Sequence, residues 1–271
     1  MRWVNVRPSR RTGWLLGAGP LVVLLLAYLI ASASRHAANS ADKVLPTPAA
    51  MFAAMRTMMA DADPLTGQLI FWADTLASLE RLGIALAICT LSALLVGMVL
   101  GVLPAARGTF GPLVTTIAVI PPIALLPILF IVFGLGETAK VALIVIGITP
   151  FLIRDLADHI TALPREQMIK AQTLGASSWQ LALRVALPQA LPRLIAGVRL
   201  SLGPAWVYLI SAEAIASDIG LGYRIFLVRR YLSMDIIIPY VIWISLLAIV
   251  MDVALAQLSR RAFGWAHEAG R

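Results

Sequence analysis

Long apolar runs separated by short polar segments constrain this chain more than any other feature of its sequence. A helix needs about 20 mostly apolar residues to cross a hydrocarbon core roughly 30 Å thick. Six candidate transmembrane segments lie near residues 14–33, 82–103, 112–134, 140–153, 194–217 and 236–258. The composition agrees, because 60% of the residues are hydrophobic and only 13% are charged. The sequence therefore predicts an all-α integral membrane protein with six transmembrane helices.

The distribution of Lys and Arg predicts the orientation of these segments, because cytoplasmic loops of membrane proteins are enriched in basic residues. With the N-terminus inside, basic residues exceed acidic ones in the cytoplasmic segments and balance them outside. The exception is an external group of Arg224, Arg229 and Arg230. Both termini and the polar loop at residues 154–193 then face the cytoplasm.

This orientation divides the chain into four regions. We expect a cytoplasmic N-terminus and first transmembrane helix at residues 1–34, and an external segment at 35–80 that ends in an amphipathic helix near 69–80. A core of five transmembrane helices follows at residues 81–260, and a cytoplasmic tail at 261–271. A cleavable signal peptide is the alternative for the N-terminus, because Ala31-Ser32-Ala33 follows the first apolar run.

Residues suited to catalysis, metal binding or nucleotide binding do not cluster in this sequence. The phosphate-binding pattern Gly-x-x-x-x-Gly-Lys-Ser/Thr is absent, so ATP chemistry would need another polypeptide. His36, His159 and His267 are too far apart in sequence for a metal motif. The basic residues are scattered between apolar segments, which argues against nucleic acid as a partner. We expect no catalytic residue, no metal site and no cofactor in this chain.

The polar loop has the pattern of two short helices joined at a glycine. Residues 166–174 favour a helix, Gly175 permits a break, and Ser177 is suited to cap a second helix. Apolar side chains recur every fourth residue along that helix, at Trp179, Leu183 and Leu187. This stripe predicts an apolar face for a partner protein, and the alternative is a helix that lies on the membrane surface.

Two prolines follow the stripe, and they predict where the second helix stops. Pro188 and Pro192 each lack a backbone N–H group, so we expect them to end the second helix and permit a turn into the next transmembrane segment.

The loop resembles the EAA coupling loop of bacterial ABC importer permeases, in its Ala171, its Gly175 and its Val185-x-Leu187-Pro188. Three other stretches resemble the nitrate/sulfonate/taurine branch of that family. They are Ile120-Pro-Pro-Ile-Ala-Leu-Leu-Pro127 followed by Phe133-Gly-Leu-Gly-Glu137-Thr-Ala-Lys140, then Ala212-Glu213-Ala214 with Gly220-Leu-Gly-Tyr223, and Asp252 ahead of Arg260-Arg261 and Trp265. One departure is Ile169-Lys170-Ala171, where the family has Glu-Ala-Ala, and Glu166 is a candidate substitute for the missing acid.

The resemblance implies a type I ABC importer permease fold in the bacterial inner membrane. It implies a homodimer that binds two cytoplasmic ATPase subunits, which hold ATP and Mg, and that receives its solute from a periplasmic binding protein. The solute would be nitrate, a sulfonate, taurine or a related small nitrogen or sulfur compound. The residues implied in coupling to the ATPase are Ala171, Gly175, Ala176, Ser177, Trp179, Leu183, Val185, Leu187 and Pro188.

Polar and helix-breaking residues inside the apolar segments mark candidates for a translocation path. Prolines free backbone carbonyls at membrane depth, or else merely kink a packed helix, and Pro121, Pro122 and Pro127 share one segment. Glu213 is a candidate gate or a capped helix end. The sequence also predicts an interhelical pair of Arg199 and Asp252 at similar depth. An ion-coupled transporter working without an ATPase is the competing hypothesis, although it would predict paired mid-membrane acids and no long helical loop.

Overall fold

The computed structural model describes residues 9–39, 42–62 and 67–268, which are helical apart from turns and one isolated β-bridge between Ala62 and Leu69. The ends that were predicted to be cytoplasmic, residues 1–8 and 269–271, lie outside the described residues. The helices are α1 (Arg10–Ala38), α2 (Pro48–Ala60), α3 (Ile70–Val102), α4 (Pro104–Val119), α5 (Leu126–Phe133), α6 (Glu137–Thr161), α7 (Arg165–Thr173), α8 (Ser178–Gln180), α9 (Leu187–Ala216), α10 (Leu221–Arg229), α11 (Met234–Ala262) and α12 (Gly264–Glu268).

The chain forms two compact units, and the first contains α1, α2 and residues 228–239. Within it, the segment after α1 folds back onto that helix. The Tyr28 hydroxyl donates to the Pro46 carbonyl at 2.7 Å, and Ser32 Oγ donates to the Leu45 carbonyl at 3.0 Å. Most apolar side chains of α1 are exposed within this unit, as expected for a helix that faces lipid.

The Asp42 carboxylate completes this fold-back. Asp42 accepts a hydrogen bond from the Val44 backbone N–H at 2.9 Å and forms an ion pair with Arg35. These contacts, with the backbone bond as the larger cause, lower the pKa of Asp42.

The second unit contains residues 61–227 and 240–271, and its centre is the contact of α3 with α6. The two helices run parallel, because early residues of α3 meet early residues of α6 and late ones meet late ones. Arg81 pairs with Glu137, and Gly101 lies against Ile160. A glycine at the contact lets two helix backbones approach closely.

Helix α9 runs opposite to α3 and α6. Arg193, near its start, pairs with Asp155 near the end of α6, whereas its last turns lie beside the start of α6. Helix α11 is parallel to α3, because the Phe71 and Tyr240 rings are 5.5 Å apart and Trp243 Nε1 donates to Thr75 Oγ1 at 3.1 Å. These directions agree with the alternation expected for consecutive transmembrane segments.

Among the described residues, fewer than the six predicted transmembrane helices meet the criteria of length and apolar composition. Four helical stretches qualify, Thr12–Ala38, Ile70–Val102, Ser178–Ala216 and Met234–Ala262, and a bent pair raises the number to five. The predicted fourth segment lies within α6, whose ends carry charged residues such as Glu137, Arg154 and Asp155. Packing compensates for this polarity, because one face of α6 is buried from Ala139 to Ile160.

Helix α3 corrects the predicted boundary at residue 80. The sequence suggested a separate amphipathic helix near 69–80, but the chain continues as one helix of 33 residues from Ile70 to Val102. Proline is absent from this stretch, and its polar residues Asp74, Ser78 and Arg81 are buried. Their partners belong to the same unit, so water is not needed to solvate them.

The segment predicted at 112–134 is a bent pair of helices, with an angle of 85° between residues 104–119 and 122–133. The break is at Ile120-Pro121-Pro122, where Ile120 is extended. Proline disfavours helical geometry in the residue before it, and two adjacent prolines remove two consecutive N–H donors. Pro104 lies in the first turn of α4, a position that tolerates proline.

We expect Gly101→Ala to destabilise the protein, because a Cβ there would lie 2.7 Å from the Cβ of Ile160. Overpacking of this kind costs about 1–3 kcal/mol. The matched control is Gly83→Ala on the same helix, where a Cβ would meet nothing within 4 Å. Thermal unfolding of the purified protein in detergent should show a lower Tm for Gly101→Ala than for Gly83→Ala. Equal melting temperatures would show that α3 and α6 are not closely packed there.

Candidate functional site

The polar loop begins with α7, and its end has the hydrogen bonds of a Schellman motif. The Ala176 N–H donates to the Ala171 carbonyl at 3.0 Å, and the Gly175 N–H donates to the Gln172 carbonyl at 2.9 Å. Gly175 has φ +79°, a left-handed conformation that a Cβ disfavours. The break predicted at this glycine therefore has a specific backbone geometry.

The second helix of the loop starts at a capping box. Ser177 Oγ accepts from the Gln180 N–H at 3.3 Å, and the Ser177 N–H donates to Gln180 Oε1 at 2.8 Å. The predicted cap at Ser177 is thus part of a reciprocal pair that also requires Gln180, which satisfies two N–H groups at the helix start.

The predicted apolar stripe does not form one free outer face. Trp179, Leu183 and Leu187 line a cavity of about 370 Å³ whose opposite wall is the end of α3, including Met98 and Val102. The most exposed apolar side chains of the loop are Leu174, at 88%, and Trp179, at 72%, while Ile169 and Leu183 are exposed to a smaller extent. The surface available to a partner is therefore centred on the turn between the two helices.

Pro188 and Pro192 do not end the second helix, contrary to the prediction. Residues Leu181–Ala186 form a π-helical turn that leads directly into α9, where Pro188 lies in the first turn and Pro192 lies in the helix interior. Proline is tolerated in a first helical turn, and a π turn changes which carbonyls require a donor. The loop and the predicted fifth segment are one continuous helical stretch from Ser178 to Ala216.

Two contacts attach this loop to the helices of the second unit. Gln189 Nε2 donates to Gln167 Oε1 at 2.9 Å, which joins α7 to α9. Arg193 Nε donates to Asp155 Oδ2 at 2.9 Å, which joins α9 to α6. The loop is therefore supported by the two helices between which it lies in sequence.

A polar network occupies the opposite end of α3, α6 and α9, and it is largely buried apart from Glu137. Glu213 has no exposed surface and accepts from Ser78 Oγ at 2.8 Å, from Arg81 Nη1 at 2.7 Å and from the Gly222 N–H at 2.8 Å. Arg81 also donates to Glu137 from both Nε and Nη2. Lys140 donates to Glu137 Oε1 at 2.9 Å.

The network extends to the segment between α9 and α10. Asp74 accepts from the Gly220 N–H at 2.9 Å and from Arg224 Nε at 2.7 Å. Gly220 has φ +135°, and a Cβ there would lie 2.6 Å from the Glu213 carboxylate. A Cβ on Gly222 would lie 2.8 Å from the Ile210 carbonyl oxygen. The two glycines of the Gly220-Leu-Gly-Tyr223 motif therefore allow the chain to pass against the carboxylate.

Three acidic and three basic side chains make up this network, so its formal charge is zero. Of these six residues, the sequence had assigned a role only to Glu213, either as a gate or as a capped helix end. Lys140 is buried, and Glu213 is bonded on all sides within the chain. The signal that could have revealed the network is the spacing of Asp74, Ser78 and Arg81, which share one face of α3.

The three prolines of the bent pair do not lie in this network. Pro121 precedes the 3-10 turn at Pro122–Leu125, and Pro127 lies in the first turn of α5. Pro122 packs near Gly147 of α6, where a Cβ would lie 3.0 Å from the proline ring and 2.5 Å from Tyr208. The bend is therefore packed against α6 and α9.

The structure brings Arg199 and Asp252 together as a bidentate pair between α9 and α11. Arg199 Nε donates to Asp252 Oδ1 at 2.8 Å, and Nη2 donates to Oδ2 at 3.0 Å. The two side chains are 34% and 42% exposed within the chain. This pair is thus less enclosed than the Glu213 network.

Comparison with known proteins gives a consistent result. Residues 93–264 match the family model described as "Binding-protein-dependent transport system inner membrane component". The taurine transport system permease protein TauC of Escherichia coli is 34% identical over 72% of this chain and 70% of its own length. A probable ABC transporter permease of Brucella abortus is 32% identical over 83% of this chain and 88% of its own. The bicarbonate transport system permease protein CmpB of Synechococcus elongatus is 30% identical over 70% of this chain and 69% of its own length.

Solved structures share the fold. A chain of the MetNI methionine ABC transporter in an inward facing conformation aligns with a TM-score of 0.63 and 21% identity, and covers 74% of this chain and 99% of its own. A chain of an amino acid ABC transporter aligns with a TM-score of 0.54 and 18% identity, and covers 70% and 91%.

We expect Glu213→Gln to destabilise the protein strongly, because Arg81 would lose a buried charged partner. Breaking a buried pair in this way costs about 3–5 kcal/mol. The matched control is Asp252→Asn, which removes a carboxylate from the more exposed pair with Arg199 and should cost much less. Unfolding of both variants in detergent is the measurement. If the two variants lose the same stability, the Glu213 network is not the stronger constraint on the fold.

Proposed function

Because the chain belongs to the family of binding-protein-dependent transport system inner membrane components, we propose that it pairs with a second copy of itself to form the solute pathway of an ABC importer. It is a multi-pass inner-membrane permease, and its fold is that of ABC importer permeases. We further propose that each copy binds one cytoplasmic ATPase subunit, and that a periplasmic binding protein delivers the solute. Family membership disfavours the alternative of an ion-coupled transporter that works without an ATPase.

The geometry of the polar loop carries this proposal. A Schellman motif at Gly175 and a capping box at Ser177 join two helices at a sharp turn, and Leu174 and Trp179 expose apolar surface there. A turn with fixed backbone geometry and protruding apolar side chains is suited to insertion into a cleft of another protein. Its attachment to α6 and α9 would pass a displacement of the ATPase to the membrane helices.

ATP hydrolysis belongs to the partner in this scheme. The chain lacks a phosphate-binding loop, so ATP and Mg would be held by the ATPase subunits alone. We propose that the loop and both termini face the cytoplasm, in accordance with the basic residues of those segments. The Glu213 network would then lie at the periplasmic end, where it fixes the segment between α9 and α10.

The proposed solute is nitrate, a sulfonate, taurine or a related small nitrogen or sulfur compound. One relative is named for taurine transport and another for bicarbonate transport, and both compounds carry an oxyanion group. Arg229 and Arg230 lie in the predicted periplasmic segment and would favour the approach of an acidic group, whereas Arg224 is already paired with Asp74. Selection among these compounds would rest largely on the separate binding protein.

We expect Gly175→Asp to abolish solute uptake and capture of the ATPase while the protein still accumulates in the membrane. Aspartate adds a Cβ at φ +79° and a charge at the docking turn, and a charge that loses water on docking is costly. Co-purification of the ATPase and uptake of labelled solute, at matched expression, are the measurements. Normal capture and uptake would show that the turn does not dock.

A second variant separates backbone strain from collision with the partner. Asparagine tolerates left-handed φ better than most residues, and it has nearly the size of aspartate without the charge. If the ATPase surface lies against residue 175, Gly175→Asn should also fail to capture it. Gly264→Asp is the matched control, because a Cβ there meets nothing within 4 Å and the position lies near the end of the chain. It should leave capture unchanged.

A further inference from the structure

A second cavity lies on the loop side of the membrane helices, and neither the two loop helices α7 and α8 nor the Glu213 network forms part of it. It has a volume of about 500 Å³ and lies between the end of α3, helix α4 and the end of α6. Its polar lining is Arg107, Thr115, Thr116, Arg154 and Asp158. Leu100, Pro112 and Val114 form an apolar wall beside these groups.

Arg107 is held rigidly by contacts inside the chain. Its Nη1 donates to the Ala157 carbonyl at 3.2 Å and to the Thr161 hydroxyl, and its Nη2 donates to Asp158 Oδ1. Asp158 therefore forms an ion pair with Arg107, and this pair adds no net charge to the cavity lining.

Arg154 adds a positive charge to the lining that the Arg107–Asp158 pair does not neutralise. Its closest carboxylate oxygen is Asp158 Oδ2, which lies 3.8 Å from Nε and is too far for a hydrogen bond. The side chain is 56% exposed, so its N–H groups are available to a ligand. Thr115 adds a hydroxyl on the facing helix. Two arginines and one aspartate give the lining an excess of one positive charge.

We infer that this cavity binds an oxyanionic group, with Arg154 as the principal cation and Thr115 as a hydroxyl donor. A guanidinium group presents paired N–H donors that match the oxygens of a phosphate, sulfonate or carboxylate. The group could belong to the head of an anionic lipid in the adjoining leaflet, whose first methylenes would meet the apolar wall, or to a free anion. This inference is independent of ATP-driven transport, because it concerns the isolated chain.

The test compares both sources on the purified full-length protein. Retention of phosphatidylglycerol and of phosphatidylcholine is measured by native mass spectrometry, and binding of inorganic phosphate by calorimetry. The variants are Arg154→Gln and the nearly isosteric Thr115→Val. The matched control is Arg165→Gln, which removes another exposed charge from the start of α7, outside the cavity.

Arg154→Gln should weaken the bound oxyanion by about tenfold, the factor expected for losing one charge-assisted contact. Thr115→Val should weaken it less, and Arg165→Gln should have no effect. Loss confined to phosphatidylglycerol identifies a lipid head group, and loss confined to phosphate identifies a free anion. The inference is overturned if phosphatidylglycerol binds no better than phosphatidylcholine and phosphate binding is the same in all variants. Equal losses in Arg154→Gln and Arg165→Gln would also overturn it, because they would reveal only a general charge effect.

Discussion

The second unit depends on pairing its buried charges, because the interior of a helix bundle solvates a charge poorly. Glu213 lies fully buried among apolar helices, and its carboxylate would be very costly without partners. Arg81 supplies the opposite charge, while Ser78 and the Gly222 N–H occupy the remaining acceptor sites. Since these partners belong to α3 and to the segment after α9, satisfying one carboxylate aligns separate parts of the chain. Loss of one member would leave another charge unpaired.

Close contacts between helix backbones define the rest of this alignment. Apolar side chains gain little by leaving lipid for a helix interface, so packing depends on shape and on small residues. Gly97 and Gly101 place α3 against α6, while Gly197 places α9 against Leu152. The polar network fixes one end of these helices, and the glycine contacts fix the other. A helix held at both ends cannot slide along its neighbours without breaking one of the two.

The sequence predicted features that depend on neighbours along the chain. The break at Gly175 and the cap at Ser177 are local, because the chain conformation and one side chain determine them. The apolar segments and the Arg199–Asp252 contact could also be predicted, because hydropathy and the depth of a residue in the membrane follow from each segment alone.

The features that the sequence missed depend on partners distant in the chain. Asp74 and Arg81 were not singled out, because their partners are more than fifty residues away. The predicted end of the second loop helix at Pro188 was wrong for a different reason. Proline breaks a helix when it lies in the interior, but it is tolerated in the first turn. The local sequence does not indicate the π turn that places Pro188 in the first turn of α9.

The absence of a break between the loop and α9 has a mechanical consequence. Trp179 and Glu213 lie on one continuous helical stretch, about 50 Å apart at 1.5 Å per residue. If that stretch moves as one body about its buried end, a tilt of about 10° displaces the loop end by roughly 9 Å. If the stretch is rigid, a small rotation at one membrane face thus produces a large movement at the other. A flexible joint after the loop would absorb that movement, and the chain has a helix where such a joint would be.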